Sequence, residues 1–141
     1  MNLLDIIYYQ TYLFYSSKLK ELDPHFTASW GVSAATAFII TFPILAIKNL
    51  FYCGKIDTIY LFSTAILIIG FVMNYFYKNN YWIKIINQKP LLIESKFYSK
   101  LIAILYFILA VFLMFVCPII SRHIKEVYCL VSQLAQVLDL C

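Results

Sequence analysis

Three stretches of this chain carry no charged side chain over the length of a membrane crossing: residues 26–47, 58–77 and 101–121, which are 22, 20 and 21 residues long. A helix rises about 1.5 Å per residue, so about 20 apolar residues cover the ~30 Å hydrocarbon core of a bilayer. Backbone groups in lipid find no water to bond, so each stretch must satisfy them internally, as a helix. A transmembrane β-barrel would need many alternating strands of about 10 residues, and these runs do not alternate. The residue usage agrees: 63% hydrophobic and 13% charged, where soluble domains have about 45–50% and about 25%. A chain of 141 residues makes one domain, too small to hide that apolar surface from water. The expected fold is all-α, an integral membrane bundle of three transmembrane helices with an N-terminal interfacial amphipathic helix. Its parts are the interfacial helix at 1–25, the three-span domain at 26–121 with a hairpin at 78–100, and an amphipathic tail at 122–141.

The N-terminal segment is uncharged only over residues 6–17, too short to span. On a helical wheel Leu3, Leu4, Ile7, Thr11, Phe14, Tyr15 and Leu22 share one side, and Asn2, Asp5, Tyr9, Ser16 and Lys20 the other. That division predicts a helix lying in the membrane interface, with Asp5 and Tyr9 on the side away from lipid, or alternatively a soluble-facing helix packed on other protein. Asp23-Pro24 ends it, because the residue before proline disfavours helix. In the hairpin, Trp82, Ile83, Ile85 and Ile86 give an apolar side. The second helix is expected to continue past Tyr77 toward Asn87. The third is expected to begin at Pro90, where the missing N–H costs nothing, so that the pair projects beyond the bilayer. In the tail, Val127, Leu130, Val131, Leu134, Val137, Leu138 and Cys141 follow helical spacing, opposite Glu126, Gln133, Gln136 and Asp139.

Flanking charge predicts orientation. Seven lysines, at 18, 20, 78, 84, 89, 96 and 100, fall on one side, against Lys48, Lys55, Arg122 and Lys125 on the other. The bias places the N-terminus in the cytoplasm and the chain in the inner, cytoplasmic membrane as a multi-pass protein. Trp30, Tyr77, Tyr81, Trp82 and Tyr98 would form the inner aromatic belt, with Phe51, Tyr52 and Tyr60 at the outer boundary. A secretory leader is not expected, since the N-terminus lacks a basic segment and the first long apolar run starts near residue 26, too late for one. The net charge of +4 is scattered beside apolar runs, so nucleic acid is not an expected partner.

The spans contain no Asp, Glu, Lys, Arg or His, the costly residues that proton relays and ion-coupled transporters place in the membrane. No Gly-rich phosphate loop, nucleophile elbow or carboxylate pair is evident, so an enzyme is not expected and no cofactor is implied. Glu21, Asp23 and His25 cluster before the first span, an incomplete metal-ligand set. Ser29, Ser33, Ala37 and Thr41 repeat every four residues along the first span, a small-residue face that lets another helix approach closely. Ala103, Ala110 and Cys117 repeat every seven along the third. Both read as helix packing, within the chain or between copies. Asn74 reads as an interhelical or pore-lining polar group, or as an interfacial Asn, which is preferred. Pro43 should kink the first span. The cysteines at 53, 117, 129 and 141 show no Cys-x-x-Cys spacing. They read either as free thiols or as a disulfide tying Cys53 to Cys117 or Cys129.

The opening Tyr8-Tyr9-x-x-Tyr12-x-Phe14-Tyr15, with Asp23-Pro24-His25-Phe26-Thr27-Ala28 after it, resembles small uncharacterised membrane proteins of Bacteroidetes. The resemblance covers about the first thirty residues and implies membrane class, with no activity or functional residues. The functional expectation is a non-enzymatic protein that acts through contacts, as an accessory, immunity or anchoring partner. Its surroundings would be the lipid bilayer and a protein partner or further copies of itself. The alternative is a homo-oligomeric membrane-perturbing effector or small channel, assembled through the small-residue face.

Overall fold

The computed structural model describes residues 2–51, 58–91 and 95–138. They form five α-helices: α1 (Leu3–Phe14), α2 (Pro24–Phe51), α3 (Thr58–Tyr77), α4 (Tyr81–Gln88) and α5 (Lys96–Leu138). Three segments are long and apolar enough to cross a membrane: Pro24–Lys48, Ile59–Gln88 and Lys96–Ile120. The second is not straight. Asn79 and Asn80 both have positive φ, at 55° and 53°, and the chain turns there, so the crossing is α3 alone. The chain is an all-α membrane protein with three potential spans.

The spans form a row. Helix α2 is central, packed against α5 on one side and α3 on the other, while α3 and α5 scarcely touch. Asp23 starts α2: its carboxylate accepts the Phe26 N–H at 3.3 Å, and Pro24 occupies the first helical position, which needs no donor. The helix runs unbroken through Pro43. Several hydroxyls on the spans donate back to their own helices, as Ser63 does to the Ile59 carbonyl and Thr36 to that of Val32, so these cost little in an apolar setting.

Helix α1 packs on α2, α5 and α4, and its buried side differs from the wheel reading. Ile6, Ile7, Tyr8, Tyr9, Thr11 and Asp5 are buried, whereas Leu3 and Phe14 are exposed. Asp5 and Tyr9 therefore face inward. The wheel assumes that carboxylates seek solvent; here protein hydroxyls provide the solvation instead. After Phe14 the chain widens into a π-helical turn, Tyr15–Leu19, and ends at Lys20 with φ 50°.

The expected continuation of the second helix and the expected start of the third also differ. The Asn79-Asn80 turn sends α4 back against the N-terminal helix, with Ile85 buried. Lys89, at φ 46°, caps α4, and its N–H bonds the Ile85 carbonyl at 3.1 Å. Pro90 is buried in the link and α5 begins at Lys96, so the segment folds onto the bundle rather than projecting. The tail is no separate unit: α5 is one helix of 43 residues, with Pro118 inside it. The apolar and polar faces expected of the tail, and Cys53, Cys129 and Cys141, lie outside the described side chains.

Candidate functional site

The small residues singled out in the sequence are drawn together. Ser29, Ser33, Ala37 and Thr41 are buried along α2, as are Ala103, Ala110 and Cys117 along α5. They sit in the seams around α2, where small side chains let backbones approach. On the α5 side, a Cβ at Gly31 would lie 3.9 Å from the Phe107 ring, and the Thr36 and Tyr106 hydroxyls share a hydrogen bond of 2.6 Å. The packing is intramolecular. Cys117 is buried as a free thiol, so it is not tied to Cys53. Asn74 is exposed on α3 and takes no part in the seams between helices.

A polar cluster that the sequence did not suggest pins α1 to the α3–α4 corner. The Asp5 carboxylate, 3% exposed, accepts the Tyr75 hydroxyl at 3.1 Å and the Tyr81 hydroxyl at 3.2 Å. It also accepts the Asn2 backbone N–H at 3.1 Å, half of a capping box at the positive end of the helix dipole. The Asn2 side-chain amide donates to the Tyr75 hydroxyl at 3.2 Å. No cation pairs with Asp5 among the described residues; hydroxyls and N–H dipoles carry the solvation of its charge.

Aromatic packing extends this corner. Tyr8 stacks on Phe76 with ring centroids 4.6 Å apart, and burial raises its phenol well above the usual range. Its hydroxyl, beside Ser29, has no hydrogen-bond partner, and neither do the Ser33 and Thr41 hydroxyls or His25 Nδ1. His25 stacks flat on Trp82 at 4.1 Å, and its Nε2 lies 3.5 Å from Asp23. The one-ended arrangement joins α1, the start of α2, the end of α3 and α4. No cluster able to hold a metal, at Glu21, Asp23 and His25 or elsewhere, occurs among the described residues. The sequence signal was present in Asp5 on an otherwise apolar helix and in the tyrosines near residue 77, but they are about seventy residues apart.

Beside this corner, α1 and its π-helical turn lean against the first three turns of α5 and enclose an open-sided groove of about 670 Å³. Leu13, Phe14 and Tyr15 form one wall, and Ala103, Ile104, Phe107 and Ile108 the other. Lys18 and Lys100 border it from opposite walls, both exposed, and no carboxylate lines it. The Thr11 and Ser17 hydroxyls in the lining donate to the Ile7 and Leu13 carbonyls. The groove can hold an apolar chain with an anion at its rim. The polar cluster lacks an activated nucleophile or an opposed acid–base pair and is suited to holding elements together.

Comparison with protein-family models, with curated proteins and with solved structures finds no match.

Proposed function

We propose that this protein is a non-enzymatic membrane component that works through contacts, as an accessory, immunity or anchoring partner of another protein. The spans are the anchor, and the end of α5 is the arm that meets the partner. The observation that carries this reading is the continuity of α5. The apolar segment of that helix ends at Ile120, yet the helix runs to Leu138. Those further residues continue as helix for about 27 Å at 1.5 Å each, a rod beyond the apolar segment. The lysine bias puts the N-terminus and α4 in the cytoplasm and the rod on the other side of the inner membrane.

The rival, an effector or channel assembled from several copies, depends on a free small-residue face. On α2 that face is occupied by the chain's own helices, which counts against the rival.

A photo-crosslinking residue at Gln133 or Gln136, in the full chain in native membranes, tests the reading. The expected result is one discrete adduct with a different protein. Adducts only with other copies of the chain, or only with lipid, overturn it. The orientation is checked in the same membranes with cysteines placed at Ser132 and Asn80. An impermeant thiol reagent should label the first and not the second, and the reverse pattern would invert the topology.

A further inference from the structure

We propose that the groove between α1 and α5 is a binding site for one anionic phospholipid. Lys18 and Lys100 hold its phosphate, and one acyl chain lies along α5 toward Ile108.

The first argument is position. Lys100 stands one turn inside the start of the apolar helix Lys96–Ile120, where a lysine reaches the headgroup region while its stem stays in apolar surroundings. From Lys100 to Ile108 the wall descends about 12 Å along the helix, from headgroup depth into the acyl region. The volume, about 670 Å³, lies within the roughly 300–1,000 Å³ of sites that take a small ligand. The open side lets the lipid enter laterally from the bilayer.

Charge is the second argument and chooses the headgroup. Two ammonium groups border one groove, no carboxylate lines it, and neither lysine meets an acid among the described residues. Like charges brought to the edge of a low-dielectric groove repel unless an anion lies between them. The other polar groups on the lining give no competing recognition: the Thr11 and Ser17 hydroxyls are spent on their own helix. A zwitterionic headgroup would add a positive charge beside the two lysines; a phosphodiester with a neutral or anionic substituent would not. Basic recesses between helices and a membrane surface recognise such lipids.

The π-helical turn Tyr15–Leu19 supplies the third argument. It is the place where α1 abandons α geometry, and such turns gather at functional positions. It carries both Tyr15 and Lys18 into the groove. An uninterrupted α-helix would set these side chains at different angles around the axis.

The test uses the full chain purified in detergent, exchanged into mixed micelles of equal phosphatidylglycerol and phosphatidylcholine, and examined by native mass spectrometry. One retained phosphatidylglycerol per chain is expected, enriched roughly twenty-five-fold over phosphatidylcholine, since each of the two lysines near an anionic surface contributes about a factor of five. Lys18→Gln with Lys100→Gln should abolish the preference. Lys78→Gln with Lys84→Gln, an equal charge change outside the groove, should keep it. Ile104→Trp, which fills the groove and leaves both lysines, should lose the lipid. Excess inorganic phosphate should not displace it, because the acyl chain supplies part of the binding. Equal retention of the two lipids by the unmodified protein overturns the proposal without reference to any variant. So does loss of preference in both lysine pairs alike, which would reveal a general attraction, or displacement by phosphate, which would leave an ion site and no lipid site. Retention of a second copy of the chain in place of lipid also overturns it.

Discussion

Asp5 shows how far a residue's surroundings can reverse its usual preference. A carboxylate is rarely buried without a cation, yet this one is enclosed by Tyr75, Tyr81 and the Asn2 N–H. Asp5→Ala removes the acceptor for two hydroxyls and a backbone donor at once. A loss of about 1–3 kcal/mol is expected, the range for leaving buried polar groups unpaired. Asp5→Asn keeps an acceptor oxygen and should lose less. Thermal unfolding in detergent, followed by tryptophan fluorescence, measures both, since Trp82 stands at this corner against His25. Equal stability of Asp5→Ala and the parent would mean that the cluster does not hold α1 in place. The inward turn of Asp5 was not legible in the sequence. Its helical wheel places it with Asn2, Tyr9 and Lys20, and only the fold brings Tyr75 and Tyr81 to it. Tyr9 follows for the same reason: with Asp5 solvated by protein, that side of α1 is free to be buried.

At the level of elements, the spans were legible because lipid imposes a rule that needs no tertiary knowledge: an uncharged run of the right length must be a helix. The four-residue repeat on α2 was legible too, because small residues at that spacing lie on one face. It left open what would cover the face. Ala37, fully buried, now gives a sharp test. Ala37→Leu adds bulk where helices meet and should cost about 1–3 kcal/mol, the usual penalty for overpacking. Because the contact is inside the chain, detergent-solubilised protein should melt earlier with no change in oligomeric state. A change of oligomeric state without loss of stability would place the face between copies instead. The path from α3 to α5 was misread for local reasons. Asn79-Asn80 is a pair that tolerates positive φ, whereas the expected continuation of the helix rested on the apolar residues beyond it. Pro90 suits a helix start but equally suits a link, and Lys89 had already ended α4. The tail and the third span read as two elements because polarity changes at Arg122. Polarity does not break a helix, and no Gly or Pro follows Pro118.

At the scale of the whole molecule, the row of spans decides what a membrane assay should find. A pore stays wet only with enough polar lining or enough width. The hydroxyls of Ser29, Ser33 and Thr41 are turned into the chain's own seams, and Thr36 is bonded to Tyr106. The surfaces left exposed on the spans are chiefly large and apolar, including Ile66, Leu67 and Phe71 on α3 and Ile108, Phe112 and Phe115 on α5. Among exposed polar groups, Ser63 and Thr64 donate to their own helix, and Asn74 lies at the end of α3 near Tyr77. Copies gathered around an axis would therefore present aliphatic and aromatic walls to one another unless α2 first left its place in the row. Leaving it would expose the unpaired hydroxyls of Ser33 and Thr41 but would also forfeit the packing of α5 and α3 on the same helix. Full-length protein reconstituted into liposomes should accordingly release neither a small dye nor ions. Leakage that depends on protein and disappears in Ser33→Leu would show that the hydroxyl face of α2 does turn toward water. The effector reading would then take precedence over the contact reading. Leakage that persists in Ser33→Leu would equally remove the contact reading, while placing the path along lipid-exposed surfaces rather than through α2.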